Sequence, residues 1–185
     1  MSFLDMTSTD GAYIKHHYQL GKFTVDDEPV EGFKDFLLSP DFYTGWGRFD
    51  KEMGTFLWEW DSERGVSKHD KKTMLMDGWQ RAFSVQLYVK EKGTFLWQRF
   101  SKAEAKAFDE VMTDAWADKE DGKVVWVTHT GSEKITLSGG SKMYIPILEY
   151  KQWVPRPDDF GEPDSLPNES NSPAVDSGKD DDIPF

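Results

Sequence analysis

A chain of 185 residues is long for one small domain and short for two, which points to a single folded unit with unstructured sequence attached. Aromatic side chains make up 15% of it, with 8 Trp and 13 Phe, while the lack of Cys excludes disulfides, thiolate metal sites and cysteine nucleophiles. A net charge of −12 excludes a uniformly basic surface, no apolar run is long enough to cross a membrane, and the start MSFLDMTSTDGAY lacks the basic and apolar regions of a signal peptide, so a cytoplasmic protein is expected.

After the polar start, AYIKHHYQLGKFTV and GFKDFLLS read as strand-like pieces divided by the turn-prone DDEPVEG. An internal echo follows: KEMGTFLWEW (51–60) returns as KEKGTFLWQRF (90–100). Two copies are too few for a solenoid and read as two similar β-hairpins. In the strand leading into the second copy, Phe83, Val85, Leu87 and Val89 alternate with Ser84, Gln86 and Tyr88, giving one buried face.

A two-residue turn at Lys92-Gly93 would place Val89 opposite Leu96 on the core face. The other face would then pair Lys90 with Phe95, Tyr88 with Trp97 and Gln86 with Arg99. The same rule at Met53-Gly54 pairs Lys51 with Phe56 and Phe49 with Trp58. Each hairpin acquires an aromatic pair beside a Lys. A three-residue loop in the second hairpin would reverse the parity and send Trp97 and Arg99 inward.

SKAEAKAFDEVMTDAWADKEDG opens with a Ser cap and a Glu three residues on, ends at Gly122, and carries one apolar stripe of Phe108, Val111, Met112, Ala115 and Trp116. It is the clearest helix in the chain. KVVWVTHT and KMYIPILEYKQWV then read as two strands separated by the Gly-rich GSEKITLSGGS. A mainly β chain with a lone helix between its third and fourth main strands suits a five-stranded OB-like barrel, here with an N-terminal strand extension.

The residues from 155 onward differ in texture. They hold nine acidic residues against Arg156 and Lys179, a net of −7 that leaves −5 on the body, and six of the nine prolines. Such a segment buries too little apolar surface to offset its ordering entropy. The expected organisation is therefore a folded domain over 1–154 and a disordered acidic tail over 155–185.

The last six residues, DDDIPF, place Asp180, Asp181 and Asp182 before Ile183, Pro184 and Phe185. This ending on an acidic tail resembles the C-terminal tip of bacterial single-stranded DNA-binding proteins. The resemblance implies an OB domain that binds single-stranded DNA, followed by a tip (180–185) that docks onto host replication and repair proteins such as helicases, nucleases and recombination mediators. The aromatic-rich 1–78 segment is foreign to the bacterial pattern, so a divergent version such as a bacteriophage would encode fits better, with its self-association left open.

Single-strand binders stack bases on aromatic rings while basic side chains follow the phosphates. The predicted face of Tyr88, Phe95 and Trp97 with Lys90 and Arg99 offers both, and so does the set of Phe49, Trp58 and Lys51 in the first hairpin. Arg48, between Trp46 and Phe49, and Lys71 and Lys72 in SKHDKK are further phosphate-contact candidates. Nothing suggests catalysis or a cofactor: the four His have no metal-ligand spacing, and there is neither a GxSxG nor a Walker A motif. The rival reading is an adaptor or host-takeover factor that uses the tip without binding DNA.

Overall fold

The computed structural model describes residues 12–161 together with the backbone of Ser172–Pro173. The chain is mainly β, in two open sheets. The centre of the larger sheet is β8 (Gln80–Val89). One of its edges pairs with β9 (Gly93–Arg99). Its other edge is shared: the C-terminal half pairs with β5 (Asp35–Leu38) and the N-terminal half with β6 (Tyr43–Asp50). From that fork β5 continues to β10 (Lys123–Thr136) and then β11 (Lys142–Pro155), while β6 continues to β7 (Thr55–Trp60). All these pairings are antiparallel.

The N-terminal extension has a defined place. β1 (Ala12–Tyr13) runs parallel to β9, and the Ile14 N–H donates to the Leu96 carbonyl at 3.0 Å. β2 (Lys15–His17), β3 (Lys22–Val25) and β4 (Glu28–Pro29) form the small second sheet. The Tyr144 N–H of β11 donates to the Tyr18 carbonyl at 2.7 Å. Residues 12–18 thus bridge β9 and β11, which do not pair with each other.

The expected helix is α2 (Lys102–Trp116). Ser101 caps it, accepting from the Glu104 N–H and donating to Glu104 Oε2 at 3.0 Å. Its apolar stripe lies on the inner face of the sheet, where Phe108 stacks on Phe83 at 4.2 Å. The main core joins that stripe to Phe36, Leu38, Val85, Leu87, Trp97, Val125, Val127 and Trp153. Burying one such ring removes roughly 150–250 Å² from water, about 4–6 kcal/mol of transfer free energy before ordering entropy.

One element is new and two local expectations change. In SKHDKK, Asp70 caps a short helix, α1 (Lys71–Met76), by accepting from the Thr73 N–H at 3.0 Å. GSEKIT lies within β10, where Gly131, at φ 152°, marks a bulge between His129 and Gly131. The chain also stays packed beyond residue 154, for Phe160 is buried against Tyr88, and a two-residue strand, β12 (Ser172–Pro173), pairs with Phe56 and Thr55 of β7.

Candidate nucleic-acid interface

The two echo hairpins turn differently. In the second, Val89 pairs with Gly93, Leu87 with Phe95, Val85 with Trp97 and Phe83 with Arg99. The loop is the three residues 90–92, with Glu91 at φ 70°. The expected two-residue turn is therefore overturned, and the parity with it. Trp97 is 0% exposed, edge-on to Phe83 and Phe108, and so presents no ring surface for stacking. Phe95 is half-buried against the same core.

Arg99 also faces inward. Its Nε donates to Glu104 Oε2 at 2.8 Å, and Glu104 Oε1 accepts from Trp97 Nε1 at 3.1 Å and from the His16 backbone N–H at 2.7 Å. Burial alone would raise the Glu104 carboxyl, yet Arg99 beside it and these donors hold it below the usual range. Nearby, Ser132 Oγ donates to the Gly21 carbonyl, so it accepts from the Nε2 atoms of His16 and His129. Burial pushes the His16 imidazole down to about 4 and lowers that of His129.

Tyr88 does reach the outer face, but it is covered. Phe160 stacks on it at 5.4 Å, and its hydroxyl donates to Asp159 at 2.7 Å, which raises its pKa. Arg156 lies over Phe160, 4.2 Å from the ring centroid. Lys90 is exposed in the loop.

The first hairpin has a four-residue loop, 51–54, in which Asp50 Oδ1 accepts from the Glu52 and Met53 N–H groups and Gly54 adopts φ 65°. Phe49 therefore faces Phe56, Gly47 faces Trp58 and Gly45 faces Trp60, two positions from the expected register but with its parity kept. Lys51 belongs to the loop rather than to a cross-strand pair. These residues lie on the outer face, the one opposite α2, and build a second aromatic cluster of Phe49, Phe56, Trp58 and Trp60 with Tyr43 and Phe100. Trp58 and Trp60 stack at 5.4 Å with 7° between their planes. A Cβ on Gly47 would lie 2.6 Å from Phe100, so the missing side chain makes room for the ring.

The chemistry of this cluster is unusual. Trp58 is 6% exposed and Trp60 1%, yet neither indole N–H has an acceptor among the described residues. An indole can only donate, and a buried donor without an acceptor costs about 1–3 kcal/mol. Both indole nitrogens are themselves enclosed, so an acceptor from a ligand would meet them only where the surrounding rings shift. Half-buried Phe49, Phe100 and Tyr43 supply the accessible ring edges.

Of the remaining candidates, Arg48 points to the other face. It lies 5.2 Å from the Trp79 ring centroid and donates from Nη1 to the Asp77 carbonyl at 3.3 Å. Lys71 and Lys72 are exposed on α1. The structure thus unites Phe49, Trp58 and Lys51 at one hairpin, and separates them from the inward Trp97, Phe95 and Arg99. Sequence reasoning missed Trp60, Phe100 and Tyr43; the alternating Gly45 and Gly47 opposite two tryptophans were the available signal. The tip residues Asp180, Asp181, Asp182, Ile183, Pro184 and Phe185 lie outside the described residues.

Among the described residues no group of His, Asp and Glu is arranged to hold a metal ion, and no helix is long and apolar enough to cross a membrane. Comparison with protein-family models, curated proteins and solved structures finds no match.

Proposed function

We propose that this protein binds single-stranded DNA through the outer face of its larger sheet and recruits replication and repair proteins through its C-terminal tip. The observation that carries the reading is the aromatic hairpin β6–β7 and its place in the strand order. Taking β5 with β6 as a first strand, then β8, β9, α2, β10 and β11, the chain makes the pairings 1–2, 2–3, 1–4 and 4–5, with the helix between the third and fourth strands. This order is compatible with an OB arrangement and supports that reading, with residues 12–18 lying between the strands taken as third and fifth.

In OB folds the face of strands 2 and 3 and the connection between strands 1 and 2 bind oligonucleotides. Here the connection carries Phe56, Trp58 and Trp60, which pack with Phe49 at the end of the first strand and with Phe100 just after β9. Stacking on rings with few cations predicts single strands preferred over duplex, little sequence preference and a shallow salt dependence. The tip adds the partner function on its sequence alone.

The test is a tryptophan fluorescence titration with oligo(dT) beside a duplex of equal length. Quenching by the single strand, diminished in Trp58→Phe, is expected; equal affinity for duplex contradicts stacking. The adaptor reading is favoured by one observation: Arg99 is committed to Glu104 and Trp97 is enclosed, so the second hairpin adds no stacking cation–ring pair. An adaptor would leave the emission unchanged.

A further inference from the structure

The short helix α1 leaves an apolar step on the surface. Leu75 is 51% exposed and Met76 78%, although Met74 beside them is buried. Half-buried Trp79 follows, beneath the Arg48 guanidinium. Lys71 and Lys72 stand one turn away and make no ion pair among the described residues. A surface with two cations beside flexible apolar side chains fits a ligand that is acidic in one half and apolar in the other.

This chain carries such a segment itself, three aspartates followed by Ile183, Pro184 and Phe185. The distances allow the two to meet. Pro173 pairs with Thr55, Thr55 lies opposite Asp50, and Asp50 is two residues along β6 from Arg48. Two inter-strand steps of about 5 Å each and two residues of about 3.3 Å each separate Pro173 from Arg48, whose guanidinium meets the end of α1 at Asp77. The six residues 174–179 span up to about 20 Å when extended, so Asp180 can reach α1.

We infer that the α1 patch is the docking site of this chain's own tip, residues 180–185, with the aspartates toward Lys71 and Lys72 and the Ile183 and Phe185 side chains on Leu75 and Met76. Docked there, the tip is withheld from other proteins. It also lies on the side of the β6–β7 hairpin away from the aromatic cluster, so it leaves the outer face open. This inference does not depend on DNA binding. A tether supplies an effective concentration on the order of 1 mM, so even a contact of about 0.1 mM affinity is roughly nine-tenths occupied.

Hydrogen exchange on the full chain tests it. At that occupancy the amides of 71–79 should exchange about tenfold faster when Ile183→Asp and Phe185→Asp are introduced together, and Met76→Asp should leave nothing for the tail substitutions to release. Unchanged exchange at α1 overturns the proposal. Because the chain has no Cys, a nitroxide on Ser177→Cys can report position in the otherwise native chain. Broadening of the α1 amides that is independent of protein concentration supports the inference. Broadening that grows with concentration assigns the contact to a second copy, and broadening at Phe49 or Phe100 moves the tip to the outer face; either result overturns it.

Discussion

The segment Gly-Thr-Phe-Leu-Trp occurs twice, at 54–58 and 93–97, and the two copies point their aromatics to opposite sides of one sheet. In β7, Phe56 and Trp58 face outward against glycines and Phe100; in β9, Phe95 and Trp97 face inward onto α2. The difference is one residue of loop. Four residues connect β6 to β7 and three connect β8 to β9, and because side chains alternate with period two, an odd difference in loop length reverses the face. A turn has therefore made one strand sequence a core element and the other a candidate binding surface.

The most severe way to break the comparison is to equalise the loops. Inserting one Gly after Glu91 gives the second hairpin four loop residues, which would swing Trp97 out and Gln98 in unless β9 absorbs the change as a bulge. The expected result is loss of cooperative unfolding, read by near-ultraviolet circular dichroism. A native melt would show that packing around Trp97, not the loop, sets the register.

Truncation comes next. Trp97→Ala should cost about 3–5 kcal/mol, because it opens a cavity and removes the Nε1 donor to Glu104. A shift in melting temperature on the order of 10 °C follows for a domain of this size. Trp58→Ala, next to the edge of the sheet, should cost less stability and instead weaken single-strand binding by about 1–3 kcal/mol. Equal stability losses with unchanged affinity would remove the functional distinction between the copies.

Acid should act on the inward copy. His16, lowered from 6.5 to about 4 by burial, is neutral in the folded chain, so the unfolded state binds the extra proton between those values. The stability is complete above the unfolded value and falls as pH drops toward 4, by about 3 kcal/mol for His16 alone. His129, lowered by burial, acts with the same sign, and Glu104, held below its usual value, adds a further loss only at still lower pH. Denaturant unfolding at pH 7 and pH 4.5 measures this, and His16→Asn should flatten the profile. A flat profile in the parent chain would mean that the Ser132 cluster opens to water.

What was legible follows the range of the forces. The helix α2 could be read because the Ser101 cap, Glu104 and the apolar stripe all act within a few residues of one another. The inward run Phe83, Val85, Leu87 and Val89 was legible for the same reason. The register of the hairpins was not, since it depends on whether Asp50 accepts from its own loop and whether Glu91 takes a positive φ, and neither choice leaves a trace in apolar periodicity. Residues 12–18 and Phe160 were equally hidden: each contributes only a few contacts to strands far away in sequence.

The mildest substitution separates the two copies most cleanly. Tryptophan to phenylalanine keeps an aromatic ring and deletes the indole donor, so its effect depends on what that donor meets. At Trp97 it meets a buried carboxylate already held by Arg99, and Trp97→Phe should cost about 1.5–3 kcal/mol, the range for a hydrogen bond to a charged group. At Trp58 the donor has no acceptor among the described residues, so deleting it relieves an unmet desolvation cost and offsets the smaller ring. Trp58→Phe should therefore leave the unfolding free energy within about 1 kcal/mol of the parent. If nucleic acid supplies the missing acceptor, the same substitution lowers single-strand affinity by about 1 kcal/mol, some fivefold, while stability stays level. Paired melts and titrations of both variants measure the contrast, and a Trp58→Phe chain as destabilised as Trp97→Phe would place an acceptor at Trp58 and remove the reason for assigning the ligand there.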